Sequence, residues 1–417
     1  MLARTFKLRD FTPDTYILFS TRLVRLFAYG FLSVVLVLYL AQVGLTEVQI
    51  GLMITLTLVG DAAISLYITT HADRAGRKRM LIVGAGLMLF AGVLFALTGD
   101  FALLLLAATI GVISPSGNEV GPFLAVEQAA LSQIVPNERR TQIFAWYTLV
   151  GSFATAFGAL FGGGLAQILQ NAGVTQIDSY RAVVVGYALL GVVLAIMFSR
   201  LSPSVEAAVT PQVARSLLGL HRSRDVVFKL AALFSLDAFG GGFVITSFVA
   251  YWFYLSWGVQ PGALGAIFFG ANIMAGISAL LAARVAARFG LINTMVFTHI
   301  PSNVLLIMVP LMPTLPLAVI TLFLRFSISQ MDVPTRQSYT MAVVSPDERS
   351  AAAGVTGIAR TTGAAMAPML VGPLLSNPML MNVPFYLAGG LKIVYDLLLY
   401  RNFRAVKPPE EKAAAAR

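Results

Sequence analysis

The sequence predicts an all-α polytopic membrane protein, twelve transmembrane helices arranged as two pseudo-symmetric six-helix halves, and three observations carry that prediction. The first is composition: 58% of the 417 residues are hydrophobic, only 12% are charged and the mean hydropathy is +0.81, too apolar for one soluble domain. The second is the recurrence of twelve apolar stretches, each near the roughly 20 residues that a bilayer-crossing helix needs. The third is an internal repeat: Arg25-Leu26-Phe27-Ala28-Tyr29-Gly30-Phe31 matches Asp237-Ala238-Phe239-Gly240-Gly241-Gly242-Phe243, and Pro136-Asn137-Glu138-Arg139 matches Pro346-Asp347-Glu348-Arg349.

The first six spans are predicted near 15–40, 47–70, 79–98, 101–134, 141–169 and 181–200, and the second six near 227–254, 261–284, 292–311, 315–344, 347–376 and 384–402. The stretch 201–226, with Pro203, Pro211, Arg215, Arg222 and Arg224, is polar and lacks apolar periodicity. The chain therefore divides into an N-terminal half over 1–200, a cytoplasmic linker over 201–226 and a C-terminal half over 227–417 with a short cytoplasmic tail. Nothing ahead of span one reads as a cleavable signal, so span one is expected to stay as an uncleaved anchor.

Charge placement sets the topology. The net charge is +10, but the basic residues lie in short connections between spans and not in one patch or tail, which points to the inner membrane face and away from nucleic acid. Connections after spans two, four, six, eight and ten hold Arg74, Arg77, Lys78, Arg79, Arg139, Arg140, Arg215, Arg222, Arg288 and Arg349. The opposite connections hold Glu47, Asp100 and Asp178, with Arg181 the one base near them. Both termini are expected in the cytoplasm, and a bacterial inner membrane is the expected location.

The repeat extends with one change of register. Phe27, Gly30, Phe31 and Tyr39 fall on Phe239, Gly242, Phe243 and Tyr251 at a spacing of 212, and Gly44, Gly51, Arg74 and Gly76 fall on Gly258, Gly265, Arg288 and Gly290 at 214. A two-residue insertion in the first outer loop accounts for the shift. Within the repeat Arg25 stands opposite Asp237, so equivalent positions in two apolar helices carry opposite charges.

Between spans two and three the chain reads Thr69-Thr70-His71-Ala72-Asp73-Arg74-Ala75-Gly76-Arg77-Lys78-Arg79. Gly76 permits a tight turn back into the membrane, and the basic cluster holds that turn at an anionic inner surface. The stretch resembles the G-x-x-x-D-R-x-G-R-[RK] loop of the major facilitator superfamily. Asp73, Arg74, Gly76, Arg77 and Lys78 match, while Thr69 replaces the first glycine. With twelve spans, a duplication and a polar central linker, the resemblance covers nearly the whole chain and implies that family's fold. Span eleven is expected to start at Ser345-Pro346-Asp347-Glu348, a capping box with proline at the first helical position. In the family resembled, the aspartate at the position of Asp73 docks on this helix end and latches the halves in the outward-facing state. Such a charge–dipole contact contributes about 0.3–1 kcal/mol if exposed and about 2 kcal/mol if partly buried.

Ionisable groups inside spans are costly unless paired or wetted. The acids are Asp61, Glu119, Glu127, Asp237, Asp332 and Asp396, and the bases are Arg22, Arg25, Arg325, Arg336, Arg360 and Lys392. Counted from the cytoplasmic helix ends, Arg25, Asp61, Glu127, Asp237, Arg336 and Arg360 lie roughly 15–18 Å deep, near the midplane. In the fold resembled, spans one, four, seven and ten line the central cavity, and spans two and eleven meet across the interface. That implies Arg25, Glu127, Asp237 and Arg336 facing the cavity, with Arg25 holding Asp237 ionised, and an Asp61–Arg360 pair between the halves. Static salt bridging that fixes helix orientation is the plain alternative, and for Lys392 and Asp396 it is the favoured one.

Ser114-Pro115-Ser116-Gly117-Asn118-Glu119-Val120-Gly121-Pro122 in span four is unusually polar, and Asp332-Val333-Pro334-Thr335-Arg336-Gln337 is its counterpart in span ten. Proline and glycine there free backbone carbonyls, tolerable only against protein or a water-filled cavity. Asn118, Asp332, Arg336 and Gln337, with Arg25, are accordingly the expected substrate contacts. Glu119 and Glu127 are the first candidates to load and release a proton, followed by Asp237 and Asp61.

Span five reads Ala154-Thr155-Ala156-Phe157-Gly158-Ala159-Leu160-Phe161-Gly162-Gly163, which looks like the G-x-x-x-G-P-x-x-G-G motif of drug exporters with Ala154 and Ala159 in place of a glycine and the proline. Small residues also serve close packing in any membrane bundle. Span four lacks the arginine usual in proton-coupled exporters, and Arg325, followed by Gln330, offers a comparable feature in span ten. The favoured reading is small-molecule efflux by proton antiport, with the proton as coupling ion and no other cofactor. Proton-coupled uptake of an organic anion, clamped by Arg25, Arg336 and Arg360, is the alternative, and a non-transporting receptor stands behind it. His71, His221 and His299 are scattered, no H-E-x-x-H occurs and no cysteine is present, so neither an enzyme nor a metal site is expected. The absence of G-x-x-x-x-G-K-[ST] argues against ATP drive. The expected partners are a small-molecule substrate and the lipid bilayer, with the chain acting as a monomer.

Overall fold

The computed structural model describes residues 12–135, 140–206, 221–345 and 348–406, and all the regular structure among them is helical. Among the described residues nine helical stretches are long and apolar enough to cross a bilayer, and the pair Pro13–Ser33 and Leu36–Gln42, bent by 44°, supplies a tenth. Two of the twelve expected spans are broken: span four into Phe101–Ile110 and Phe123–Ile134, and span eleven into Arg349–Met366 and Pro368–Leu375. Span ten is interrupted between Leu315–Ser329 and Asp332–Val343. The repeated Pro136–Arg139 segment and residues 207–220, with Pro211 and Arg215 of the linker, lie outside the described residues.

The shared glycines are where helices touch. A Cβ added at Gly30 would stand 2.1 Å from the Thr155 carbonyl oxygen of span five, and one at Gly242 would stand 2.6 Å from the Ala364 carbonyl of span eleven. The same packing of a first helix on a fifth is thus built twice, and each copy needs a residue without a side chain.

Span four departs most from its prediction as one helix over 101–134. Pro115 and Pro122 lack a backbone donor, and Gly117 and Gly121 adopt left-handed φ values of +69° and +79°, so the helix opens between Ile110 and Phe123. Inside a membrane its freed backbone groups need partners. Tyr187 donates to the Val112 carbonyl at 2.5 Å, Tyr29 to Val120 at 3.0 Å and Thr155 to Gly117 at 3.3 Å, while the Gly121 N–H donates to Asp61 at 2.6 Å. Ser247 donates its N–H and hydroxyl to the Pro115 carbonyl, and Thr246 donates to Ser116 at 2.8 Å. The last two come from the other half of the molecule.

The halves are closed on each other at the face opposite the basic connections. Tyr251 donates to Glu47 at 3.0 Å, and the Met369 N–H donates to Thr55 at 2.9 Å. Span five meets span eight so closely that a Cβ on Gly163 would lie 2.2 Å from the Pro261 carbonyl, and one on Gly372 would lie 2.3 Å from that of Glu47. The helix-five small residues therefore seal this far face as well as packing within their own half.

On the basic face two carboxylates tether the ends of the linker. Glu206 accepts from the N–H groups of Arg77 and Lys78 at the start of helix Arg77–Leu97, at 2.6 and 3.3 Å. Glu348 accepts from the N–H groups of His221, Arg222 and Ser223, those of Arg222 and Ser223 at 2.7 and 2.8 Å, just ahead of helix Arg224–Gly242. This corrects the expected capping box: Glu348 is itself the N-cap of Arg349–Met366, makes no capping bond there and spends its carboxylate on the linker. Pro346 and Asp347 lie outside the described residues.

Candidate functional site

Each half holds its own buried network of charges at the middle of the bundle. In the N-terminal half Arg25 of span one grips Glu127 of span four with both terminal nitrogens at 2.7 Å, and both side chains are 0% exposed. Thr21 donates to the same carboxylate at 3.0 Å, and the Tyr147 hydroxyl donates to it as well. Glu119, on the opened segment of span four, takes one bond from Arg25 at 3.0 Å and another from Arg22 at 2.7 Å. Gly151 makes room for Arg22, whose Nε would lie 2.8 Å from a Cβ there. The guanidinium of Arg25 also stands 4.7 Å from the centre of the Phe123 ring, and that of Arg22 4.4 Å from Tyr147.

In the C-terminal half Asp237 of span seven receives Lys392 at 2.6 Å on one oxygen and Arg336 of span ten at 3.0 Å on the other. Arg336 also donates to Asp332 one turn away at 3.0 Å. Asp396 hydrogen-bonds His299 Nδ1 at 2.9 Å and accepts from Asn303 at 3.1 Å, and His299 Nε2 faces Asp237 at 3.9 Å. The network therefore runs through spans seven, nine, ten and twelve.

These contacts revise three expectations. Arg25 does not hold Asp237: each is neutralised inside its own half, because span one reaches span four and span seven reaches span ten before either reaches the other. Lys392 is drawn to Asp237 and not to Asp396, although the latter is one helical turn away. Asp61 and Arg360 form no ion pair here. Asp61 is engaged by the Gly121 N–H, and the exposed Arg360 makes no hydrogen bond or ion pair among the described residues. Asn118 and Gln337 are exposed, Asn118 on the break in span four and Gln337 on helix Asp332–Val343. Gly76, at φ +100°, turns the chain as expected, with Asp73 paired to Arg77 of its own half at 2.8 Å; Lys78 reaches the Leu201 carbonyl at 2.8 Å. Arg74 lies in the last turn of the helix that ends there.

His299 and Tyr147 were missed by sequence reasoning. A histidine within a span belongs with the other intramembrane ionisable residues by the same cost argument, and that position was the available signal for His299. Tyr147 carried none beyond being a polar-tipped aromatic in an apolar helix.

Comparison with known proteins agrees with this architecture. The family model described as Major Facilitator Superfamily matches residues 18–368. The uncharacterized membrane protein YJR124C of Saccharomyces cerevisiae is 30% identical over 431 aligned residues that span 96% of each chain. Quinolone resistance protein NorA of Staphylococcus aureus is 25% identical over 139 residues, 33% of this chain and 34% of its own. Among solved structures, the D-xylose-proton symporter superposes with a TM-score of 0.70 at 13% identity, covering 93% of this chain and 97% of that one, a likeness of fold. The full-length yeast relative gives the expected bacterial inner membrane no support.

Proposed function

The chain belongs to the Major Facilitator Superfamily, a multi-pass membrane transporter, and from that premise we propose that it exports a small molecule by proton antiport through alternating access. The observation that carries the proton coupling is the isolation of Asp61. Glu119, Glu127, Asp237 and Asp332 are each held by at least one arginine or lysine, and Asp396 by His299, whereas among the described residues no cation pairs with Asp61, which accepts from the Gly121 N–H at 2.6 Å. Glu127, with a bidentate arginine and two hydroxyl donors, is already saturated and suits a structural role. A carboxylate without a cation gains a proton at the least electrostatic cost, and protonation weakens a charge-assisted bond.

That bond joins span two to the opened segment of span four. Span two also carries Gly51 and Thr55, which seal against span eleven at the far face, where a Cβ on Gly51 would lie 2.6 Å from the Pro368 carbonyl. Protonating Asp61 therefore loosens span four from the helix that closes the far gate, and the coupling passes through one hydrogen bond. Efflux is supported by the helix-five glycines that seal against span eight and by the partial likeness to NorA. Asp73 fits a latch for the opposite state, because here, with the far face closed, it faces its own half.

A second reading, proton-coupled uptake of an organic anion, is favoured by a different observation. Arg25 and Arg336 are consumed in ion pairs, but Arg325 and Arg360 have no acidic partner among the described residues. The test for coupling is proteoliposomes with trapped pH dye and a quinolone added under an imposed pH gradient. Asp61→Asn should abolish quinolone-linked proton movement while leaving the protein folded. Wild-type proton movement in Asp61→Asn would assign the proton elsewhere.

A further inference from the structure

Arg325 is a cation in the wrong place for a purely structural residue. It lies on helix Leu315–Ser329 one turn from Leu322 and one from Ser329, which are 1% and 5% exposed, so it is on the buried face of the helix and not the lipid face occupied by Ile320 and Leu324. Its Nε is shut off from the surface without a hydrogen-bond partner, and among the described residues no carboxylate pairs with it. Its guanidinium stands 4.7 Å from the centre of the ring of its neighbour Phe326. A narrow cavity lined by Thr246, Val249, Phe268, Leu306, Leu322 and Phe326 opens around it.

A second set of unsatisfied groups lies on spans nine and ten. The Oγ atoms of Ser302 and Ser329 and the Oδ1 of Asn303 are also buried without partners. Ser302 precedes the hairpin between spans nine and ten by six helical residues and a short 3-10 turn, and Arg325 follows it by ten, each roughly 15 Å of rise. Pro301 beside Ser302 adds a local break in span nine. Thr246, on the cavity wall, also reaches across to the opened segment of span four, so the cavity borders the interface between the halves.

A guanidinium nitrogen cut off from water with no partner is unfavourable, and an anion in the cavity that Arg325 lines would supply both an acceptor and a counter-charge. We infer that Arg325 anchors an oxyanion pocket that takes the carboxylate or phosphate of the transported molecule, the remainder of that molecule occupying the space between the halves. The inference rests on the transporter reading above and is independent of the direction of transport.

The test is ligand-dependent thermal unfolding of the full chain in phosphatidylcholine nanodiscs at neutral pH, with benzoate, its neutral isostere benzamide, and inorganic phosphate. At least one of the two anions should raise the unfolding midpoint, and benzamide should not. Arg325→Gln should weaken that anion about thirtyfold or more, and Arg325→Lys should weaken it less. Equal shifts from benzoate and benzamide, no shift from either anion, or unchanged anion affinity in Arg325→Gln would overturn the pocket. The benzoate–benzamide comparison uses wild-type protein and so survives a variant that fails to fold. Stabilisation by phosphatidylglycerol that requires Arg325 and displaces the anion would assign the pocket to a lipid headgroup and overturn the substrate assignment. Asp61→Asn should retain the anion shift, so a failure of proton coupling is visible separately from a failure of the pocket.

Discussion

Arg336 donates to Asp237 across spans seven and ten at 3.0 Å, and this contact answers with reversed charges the Arg25–Glu127 pair that joins spans one and four, although in the register of the repeat Glu127 falls on Gln337, one residue beyond Arg336. Both halves join their first and fourth helices by an ion pair, with the charge on the first helix reversed between them. A pair works in either polarity, provided both members change together, because the Coulomb attraction is symmetric while the cost of one unpaired member is not. Arg25→Met, which strands Glu127 and half of Glu119, should destabilise the protein by about 3–5 kcal/mol. Arg25→Met combined with Glu127→Met should cost less than Arg25→Met alone, measured by chemical unfolding in detergent. A double variant at least as unstable as the single one would remove the claim that the lone buried charge is what costs.

The far-face seal makes a prediction about access. The chain has no cysteine, so a single one introduced at Thr55 reports labelling without background. In wild type Thr55 accepts from the Met369 N–H, and Gly372 admits the Glu47 carbonyl against its bare backbone. Gly372→Val should wedge that contact open and raise the labelling rate of Thr55→Cys from the far side several-fold. Equal labelling with and without the valine would mean that the two helices part elsewhere.

The opened segment of span four depends on tyrosines that supply its missing backbone bonds. Tyr187→Phe removes the donor to the buried Val112 carbonyl, and Tyr29→Phe the donor to Val120, each a loss of about 1–3 kcal/mol from an unsatisfied buried acceptor. The Val120 carbonyl belongs to the same peptide group as the Gly121 N–H that reaches Asp61, so Tyr29→Phe should also alter proton-linked transport per folded molecule. Stability indistinguishable from wild type in both variants would show that water can replace these donors.

Architecture was readable from the chain because it depends on features that need no partner to be identified. Apolar length, basic connections and glycines such as Gly30 and Gly242 act through backbone and bulk chemistry. The ion pairs were not readable as pairs: Arg25 and Glu127 are 102 residues apart and Lys392 and Asp237 are 155 apart, and depth alone does not choose among the three acids and three bases counted to the midplane or bring in Lys392. The prolines of span four announced a disturbance, but its extent depended on donors from spans one, five, six and seven that no local pattern contains. Asp61 was visible as an intramembrane acid, yet its isolation could be seen only once every competing cation had been placed.

The linker tether predicts an acid response on the basic face. Burial alone would push the Glu348 carboxyl up from 4.5, but hydrogen bonds from Ser223 and from the His221 and Arg222 N–H groups outweigh that and pull it down to about 2. A carboxyl held lower in the folded protein stabilises it at pH values above the unfolded value, and that contribution fades as pH falls from about 4.5 towards about 2. The end of the linker should therefore come away from the start of span seven within that window. Acid-active proteolysis should cut near His221 increasingly as pH drops through it. In Glu348→Gln, which cannot carry the charge, cutting there should already be raised at the upper end of the window and change little on further acidification. A Glu348→Gln protein that kept the wild-type pH dependence would place the titrating group elsewhere.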